Sequence, residues 1–214
     1  MTARDFKLNY ILCIFFFIFS EHGFGQKHIE RIVPWDQLKW IRIDADSVFK
    51  VHVKSVQTDY ITLNIDSEGE HSEQVALKYA INQGSLDVSV GLNPVFARVD
   101  DKLNAHKALS IELFVLMPNS KQIQITSDIA TVSLIGIYRN ALVELINGSC
   151  FLDQYSGNAT VNTIKGDIEV SVKEDSEVKA QSKHGTLNIQ SSSKANHFLS
   201  LNSINGDITV RNSQ

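Results

Sequence analysis

The chain has 214 residues, of which 43% are hydrophobic, and 20 Lys and Arg against 24 Asp and Glu give a formal net charge of −4. Binding to phosphate backbones needs concentrated Lys and Arg, so a slightly acidic chain with no basic cluster argues against nucleic acid as a partner. The length suits one domain or two small ones, and a chain of this size can bury a substantial core.

The N-terminal segment has the pattern of a secretory signal peptide. Arg4 and Lys7 precede an apolar run over 11–19, and small residues follow, ending at Gly25. The run is shorter than the about 20 apolar residues that a membrane-spanning helix needs. We therefore predict residues 1–25 as a signal peptide and expect an exported protein, periplasmic or on the cell surface, with no transmembrane segment after cleavage. An uncleaved anchor is the alternative.

The region 26–117 is rich in predicted strands but has no repeat. Segments of alternating or strand-forming residues are separated by turn signals, and they occupy 50–54, 60–65, 85–90 and 110–117. The stretch 96–107 is predicted as a polar loop. Because the end of a repeat array must be protected, we expect 26–117 to form an antiparallel β-meander or sandwich that caps the region after it.

The region 118–214 repeats about a column of small residues. Gly148, Gly166, Gly185 and Gly206 are spaced by 18, 19 and 21 residues, and a further step of 18 back reaches Ala130. Twenty residues at four fixed offsets from this column are all apolar: Val132, Cys150, Ile168, Leu187, Ile208, Leu134, Leu152, Val170, Ile189, Val210, Ile125, Val143, Val161, Ala180, Leu201, Ile123, Ala141, Ala159, Val178 and Leu199. Repeats of this length indicate a solenoid, in which each copy is one coil.

Period-two alternation on both sides of the column predicts two short strands per copy, with the glycine at a corner that needs positive φ. The sequence therefore predicts an all-β protein with a parallel β-solenoid over 118–214. If the coils stack in chain order, Asp167 and Asp207 lie two coils apart, roughly 10 Å.

The stretch 115–134, VLMPNSKQIQITSDIATVSL, followed by the phrases GDIEV at 166–170 and GDITV at 206–210, resembles the bacterial adhesin-like domain family DUF4097. That family is related to the head domain of autotransporter adhesins. The resemblance spans about 40–211, and the end of the predicted signal peptide resembles those of Bacteroidota exported proteins. It implies a β-solenoid of the cell envelope without catalytic residues. Ala130 departs from the family's glycine pattern.

No catalytic, cofactor-binding or metal-binding residues are predicted. Cys150 is the only cysteine left after cleavage, so an internal disulfide is excluded, and its inward column predicts a small buried hydrophobe. The histidines lack the spacing of a zinc site. Asp167 and Asp207 each follow a corner glycine, which favours a turn role over Ca²⁺ binding or sugar cleavage.

Five outward residues are candidates for surface contact. Phe151 is an outward aromatic that we expect beside Leu142 in the outward column of the other strand. Asn162, Gln181 and Asn202 share one outward row, and these amides either stabilise the stack by bonding one another or hydrogen-bond a sugar.

The leading hypothesis is a non-enzymatic, exported, adhesin-like β-solenoid that binds or supports the bacterial cell envelope. Its expected partner is an envelope protein or a glycan, and the sequence leaves its oligomeric state open. The alternatives are a periplasmic sensor or regulatory partner in envelope stress and a carbohydrate-active β-helix enzyme, because a solenoid can carry many functions.

Overall fold

The computed structural model describes residues 26–69, 71–93, 109–173, 176–190 and 195–213. The predicted signal peptide, 1–25, and the predicted loop, 96–107, lie outside the described residues. Within them the protein is all-β, as predicted, with fifteen strands and one short 3-10 helix at Ser72–Gln74.

The strands alternate along the chain with short corners and loops. The first seven are β1 (Lys27–Pro34), β2 (Trp40–Asp44), β3 (Lys50–Val56), β4 (Tyr60–Gly69), β5 (Val75–Asn82), β6 (Ser85–Leu92) and β7 (Leu109–Pro118). The others are β8 (Lys121–Ser127), β9 (Thr131–Asn147), β10 (Cys150–Lys165), β11 (Ile168–Val172), β12 (Ser176–Ser182), β13 (Leu187–Ile189), β14 (His197–Asn205) and β15 (Ile208–Asn212).

Two parallel ladders of strands run through the molecule, and the long strands β9 and β10 join them because each takes part in both. The A ladder has the order β7, β3, 131–135 of β9, 150–153 of β10, β11, β15 and β13. The B ladder has the order β6, β2, β8, 138–145 of β9, 158–165 of β10, β14 and β12. Alternate residues of both ladders point into one hydrophobic core.

A rung, as we use the word, is one B strand, the corner after it and the next A strand. The five rungs that contain the small-residue column are 121–135, 138–153, 158–172, 176–189 and 197–212. Like residues of neighbouring rungs lie in register, as with Val132, Cys150 and Ile168.

The N-terminal region differs from the predicted cap. Among the described strands, antiparallel pairing is confined to β1 with β4, β4 with β7 and β5 with β6. β2 and β3, which we expected in the meander, pair in parallel with the repeats, so that Ile41 lies beside Ile123 and Val51 beside Val132. Their apolar residues alternate as those of the repeats do, and burying them in the same core favours this register. Buried residues before and after the predicted boundary at 117/118 belong to that one core.

The glycine column is explained by close approach rather than by the positive φ that we predicted. A Cβ on Gly148 would lie 2.0 Å from the carbonyl oxygen of Ala130, and one on Gly166 would lie 2.0 Å from that of Gly148. The same distance separates a Cβ on Gly206 from Gly166 O and one on Gly185 from Gly206 O. Gly166 has the predicted positive φ, 154°, whereas Gly148, Gly185 and Gly206 do not. Glycine is needed because any side chain would collide with the neighbouring rung.

The last two rungs do not stack in chain order, and this part of the prediction is wrong. Rung 197–212 lies between 158–172 and 176–189, so Ile208 pairs with Ile168 on one side and with Leu187 on the other. The apolar residues of the two rungs lie at the same offsets from the small-residue column. Rung 197–212, however, supplies two fully buried leucines, Leu199 and Leu201. Placing the rung with larger apolar side chains inside the stack buries more apolar surface.

Rung 176–189 therefore forms one end of both ladders. Of the twenty apolar residues predicted to point inward, all are buried except Val178, Ala180, Leu187 and Ile189, and these four belong to this rung. The inward columns are thus confirmed for every rung that has a neighbour on each side.

Candidate functional site

The structure separates Phe151 from Leu142, which we expected to be neighbours. Phe151 lies on the outward side of the A ladder, in register with Ser133 and Glu169. Leu142 lies on the outward side of the B ladder, next to Thr160. The corner at 148–149 lies between them along the chain, so each side chain points outward from a different ladder and has different neighbours.

The predicted row of amides is present, in an order set by the exchanged rungs. Asn202 lies between Asn162 and Gln181, and its Nδ2 donates a hydrogen bond of 2.9 Å to Asn162 Oδ1. Part of this row therefore stabilises the stack. Gln181, in the end rung, is exposed.

This row extends across six strands of the B ladder. We call it the acid–amide row; its members lie in register and are Asp44, Thr126, Glu144, Asn162, Asn202 and Gln181. Neighbouring strands are about 4.8 Å apart, so the row is about 24 Å long.

A second outward row runs beside the acid–amide row. Each of its members follows a member of the acid–amide row by two residues, at the end of the strand or at the start of the corner. We call it the isoleucine row; its members are Asp46, Asp128, Ile146, Ile164, Ile204 and Lys183. Ile146, Ile164 and Ile204 lie side by side, because the residues flanking them are in register, and they are 42%, 43% and 42% exposed. The two rows line a groove of about 690 Å³, the B groove.

Buried residues between the two rows fix the direction of the groove side chains. Leu145, Thr163 and Ser203 point inward, so the residues on either side of each must point out. Thr163 Oγ1 donates to Gly148 O and Ser203 Oγ donates to Gly166 O, each at 3.1 Å, which satisfies carbonyl groups at the corner. The central strands of the groove are therefore hydrogen-bonded along both edges and at the corner.

Charge is unevenly distributed along the B groove. Asp44, Asp46, Asp128 and Glu144 lie at one end, and Lys183 is the cation at the other. Among the described residues, none of the four carboxylates takes part in an ion pair. One end of the groove therefore has a negative potential that a cationic group would neutralise.

The isoleucine row was not predicted from the sequence, although the alignment of the repeats contains its signal. The position two residues before the small-residue column holds Asp128, Ile146, Ile164, Lys183 and Ile204. An outward position occupied by isoleucine in three of five copies departs from the polar pattern expected of a solvated face.

Cys150 has the structural role that the sequence indicated. It is fully buried, and burial raises the pKa of its thiol to about 12. A thiol with this pKa is protonated at neutral pH and is a poor nucleophile.

Asp167 and Asp207 are neighbours rather than two rungs apart, because the last rungs are exchanged. Asp207 N–H donates to Asp167 Oδ1 at 2.8 Å, and Thr186 N–H donates to Asp207 Oδ1 at 2.7 Å. The hydrogen bond from the Thr186 backbone, supported by its side chain, holds the pKa of Asp207 below its usual value. These bonds tie adjacent corners together and keep the Asp207 carboxylate ionised.

Two features are absent from the described ranges, a metal-binding cluster and a membrane-spanning helix. No cluster of three or more His, Cys, Asp or Glu side chains in them is arranged to hold a metal ion. No helix in the same ranges has the length and apolar character needed to cross a membrane.

The fold has a solved counterpart, whereas no family model and no curated protein matches the sequence. A Clostridium sporogenes protein provisionally named a cell adhesion protein aligns with a TM-score of 0.64 and 15% identity, over 88% of this chain and all of its own. A provisionally named adhesin from Bacteroides fragilis has 14% identity over 86% and 97% of the two chains, with a TM-score of 0.37. One from Parabacteroides merdae has 15% identity over 90% and 98%, with a TM-score of 0.32. The chain thus shares its fold with the Clostridium protein across nearly its whole described length.

Proposed function

We propose that the protein is an exported, adhesin-like β-solenoid that acts without catalysis as a binding module of the bacterial cell envelope, and that the B groove holds its partner. The observation that carries the proposal is the row of half-exposed isoleucines beside carboxylates and amides. Exposed apolar groups that cluster and are rimmed by polar ones are typical of contact sites.

Four observations support this proposal. The repeat of 18–21 residues and the parallel register of the rungs support the solenoid, and the pattern of 1–25 supports export. The Clostridium protein of the same fold is provisionally named for cell adhesion. The resemblance of 115–134 and of the two Gly-Asp-Ile phrases to DUF4097 adhesin-like domains agrees with that name.

The construction of the groove determines how a partner would be held. Its central strands, β8, β9, β10 and β14, are each paired on both sides, so their backbone groups are already hydrogen-bonded. A partner therefore contacts side chains and does not add a strand. Because these strands are fixed in the stack, the side chains are held in place before binding, which lowers the entropic cost of association.

Binding to isolated cell envelopes tests the proposal. Labelled protein with Ile164→Ser and Ile204→Ser should bind about tenfold more weakly than the wild type, because two apolar contacts are lost. The matched control is Ile32→Ser with Ile81→Ser, which removes two exposed isoleucines from β1 and β5, outside the groove. Equal binding by the groove variant and the wild type would overturn the proposed site.

Protease treatment of intact and of permeabilised cells tests the location. Cleavage in intact cells is the expected result for a surface adhesin. Protection until the outer membrane is permeabilised would overturn adhesion to external surfaces and would assign the groove to a periplasmic partner.

A further inference from the structure

The chemistry of the B groove distinguishes between the two classes of partner, an envelope protein and a glycan. Sugar rings are commonly held by aromatic side chains that pack against their C–H faces. The sixteen described residues that line the groove include no Phe, Tyr or Trp. Its apolar surface comes instead from Ile146, Ile164 and Ile204, which match aliphatic side chains in shape and polarity.

Charge gives the second distinction. Four carboxylates against one lysine attract a cationic group and repel acidic polysaccharides or phosphate-bearing lipids. Between neutral and cationic ligands, the groove favours a segment with Lys or Arg, because its positive charge is attracted by Asp46 and Asp128 and a neutral sugar has no such attraction. The carboxylates adjoin the isoleucines directly, since Asp128 precedes Ile146 in the row.

The amides of the groove give a third distinction between a protein partner and a glycan. Asn162, Asn202 and Gln181 each have a carbonyl oxygen and an NH₂ group, and so can both donate to and accept from peptide groups. One such bond joins Asn202 to Asn162, and the remaining capacity of the row faces the groove.

We infer that the B groove binds an extended protein segment in which Lys or Arg adjoins aliphatic residues. The basic residue lies at the carboxylate end, the aliphatic residues lie on the isoleucine row and the amides bond the segment's backbone. An extended chain advances about 3.3 Å per residue, so the groove of about 24 Å holds about seven residues. This inference rests on the proposed binding function of the groove.

Selection from a displayed library of random nonapeptides on the immobilised full-length protein tests it. The expected result is enrichment of Lys or Arg next to Ile, Leu or Val. A synthetic copy of an enriched peptide should bind Asp46→Asn with Asp128→Asn about fivefold more weakly than the wild type, because two carboxylates that attract its cation are lost. Its dissociation constant should rise with salt concentration.

The matched control is Asp153→Asn with Glu169→Gln, which neutralises two exposed carboxylates on the A ladder and should leave peptide binding unchanged. Enriched peptides without basic residues, or no enrichment at all, would overturn the inference.

A glycan array probed with the same protein separates failure of this inference from failure of the proposed function. Glycan binding that Ile164→Ser with Ile204→Ser abolishes would overturn the peptide ligand and leave the groove as a binding site. No groove-dependent binding to peptides, glycans or envelopes would overturn both.

Discussion

Replacing Gly148 by alanine tests the close packing of the corners. The new Cβ would lie 2.0 Å from Ala130 O, more than 1 Å closer than an ordinary contact, and 2.8 Å from Ala130 C, which is also too close. Both are backbone atoms, and they cannot rotate away. The glycine is held from its other side as well, because its N–H donates to Lys165 O at 2.9 Å. Relief requires that two rungs move apart at the corner, which strains the bond from Val132 N to Ser149 O.

Overpacking usually costs 1–3 kcal/mol, and with unyielding backbone on both sides we expect about 3 kcal/mol for Gly148→Ala. For a chain of this size that corresponds to a fall in Tm of about 6–12 °C. Urea unfolding followed by circular dichroism measures the free energy directly.

Gly91→Ala in β6 is the control, because its Cβ would meet only Ser47 Oγ, at 3.9 Å. We expect that variant to be neutral or stabilised by up to about 1 kcal/mol. If Gly148→Ala unfolds at the same urea concentration as the wild type, close approach does not explain the glycine column.

Three further predictions concern the thiol, the rung order and the corner carboxylates. Cys150 should resist iodoacetamide at pH 8 in the native protein and react once denatured, because its thiol has a pKa of about 12; rapid native labelling would contradict its burial. Thr160→Cys with Ser200→Cys should form a disulfide on oxidation, since these residues are in register on adjacent strands, whereas Thr160→Cys with Lys179→Cys, two strands apart, should not. The opposite result would restore chain-order stacking. Asp207→Asn should lower the free energy of unfolding more at neutral pH than at strongly acidic pH. The lowered pKa of the carboxylate stabilises the fold above the ordinary value of 3.8, and this stabilisation is lost as the pH falls through the lowered pKa. Unfolding curves that differ equally at neutral and strongly acidic pH would contradict this.

The inward faces of the rungs could be predicted because they depend on local alternation. Val132, Cys150 and Ile168 occupy equal offsets from the small-residue column, and burial of one face requires that they pack together. Rung order could not be read in the same way, because the offsets of the last two rungs are identical. The only signal is a difference in size: Leu199 and Leu201 stand where the other rung has smaller side chains.

The amide row of the candidate site could be predicted because it too depends on local alternation, whereas the rest of the site could not. The amides of Asn162 and Asn202 are found in one row because both follow the period of two, and the structure places them in contact. Phe151 and Leu142 are nine residues apart, and their separation depends on which way the corner at Gly148 turns. The isoleucine row occupies an outward column in which apolar residues recur. It was not predicted, because outward positions were assumed to face solvent.

The exchanged rungs affect the order in which the chain can fold. Among the described strands, β12 pairs only with β14 and β13 only with β15, so both strands of rung 176–189 depend on residues that follow them in the chain. The rungs from 121 to 172 each meet the preceding rung in the stack, so they can assemble before the last residues take part. Rung 176–189 has to wait for rung 197–212, and a chain truncated before residue 197 leaves β12 and β13 with no strand to join.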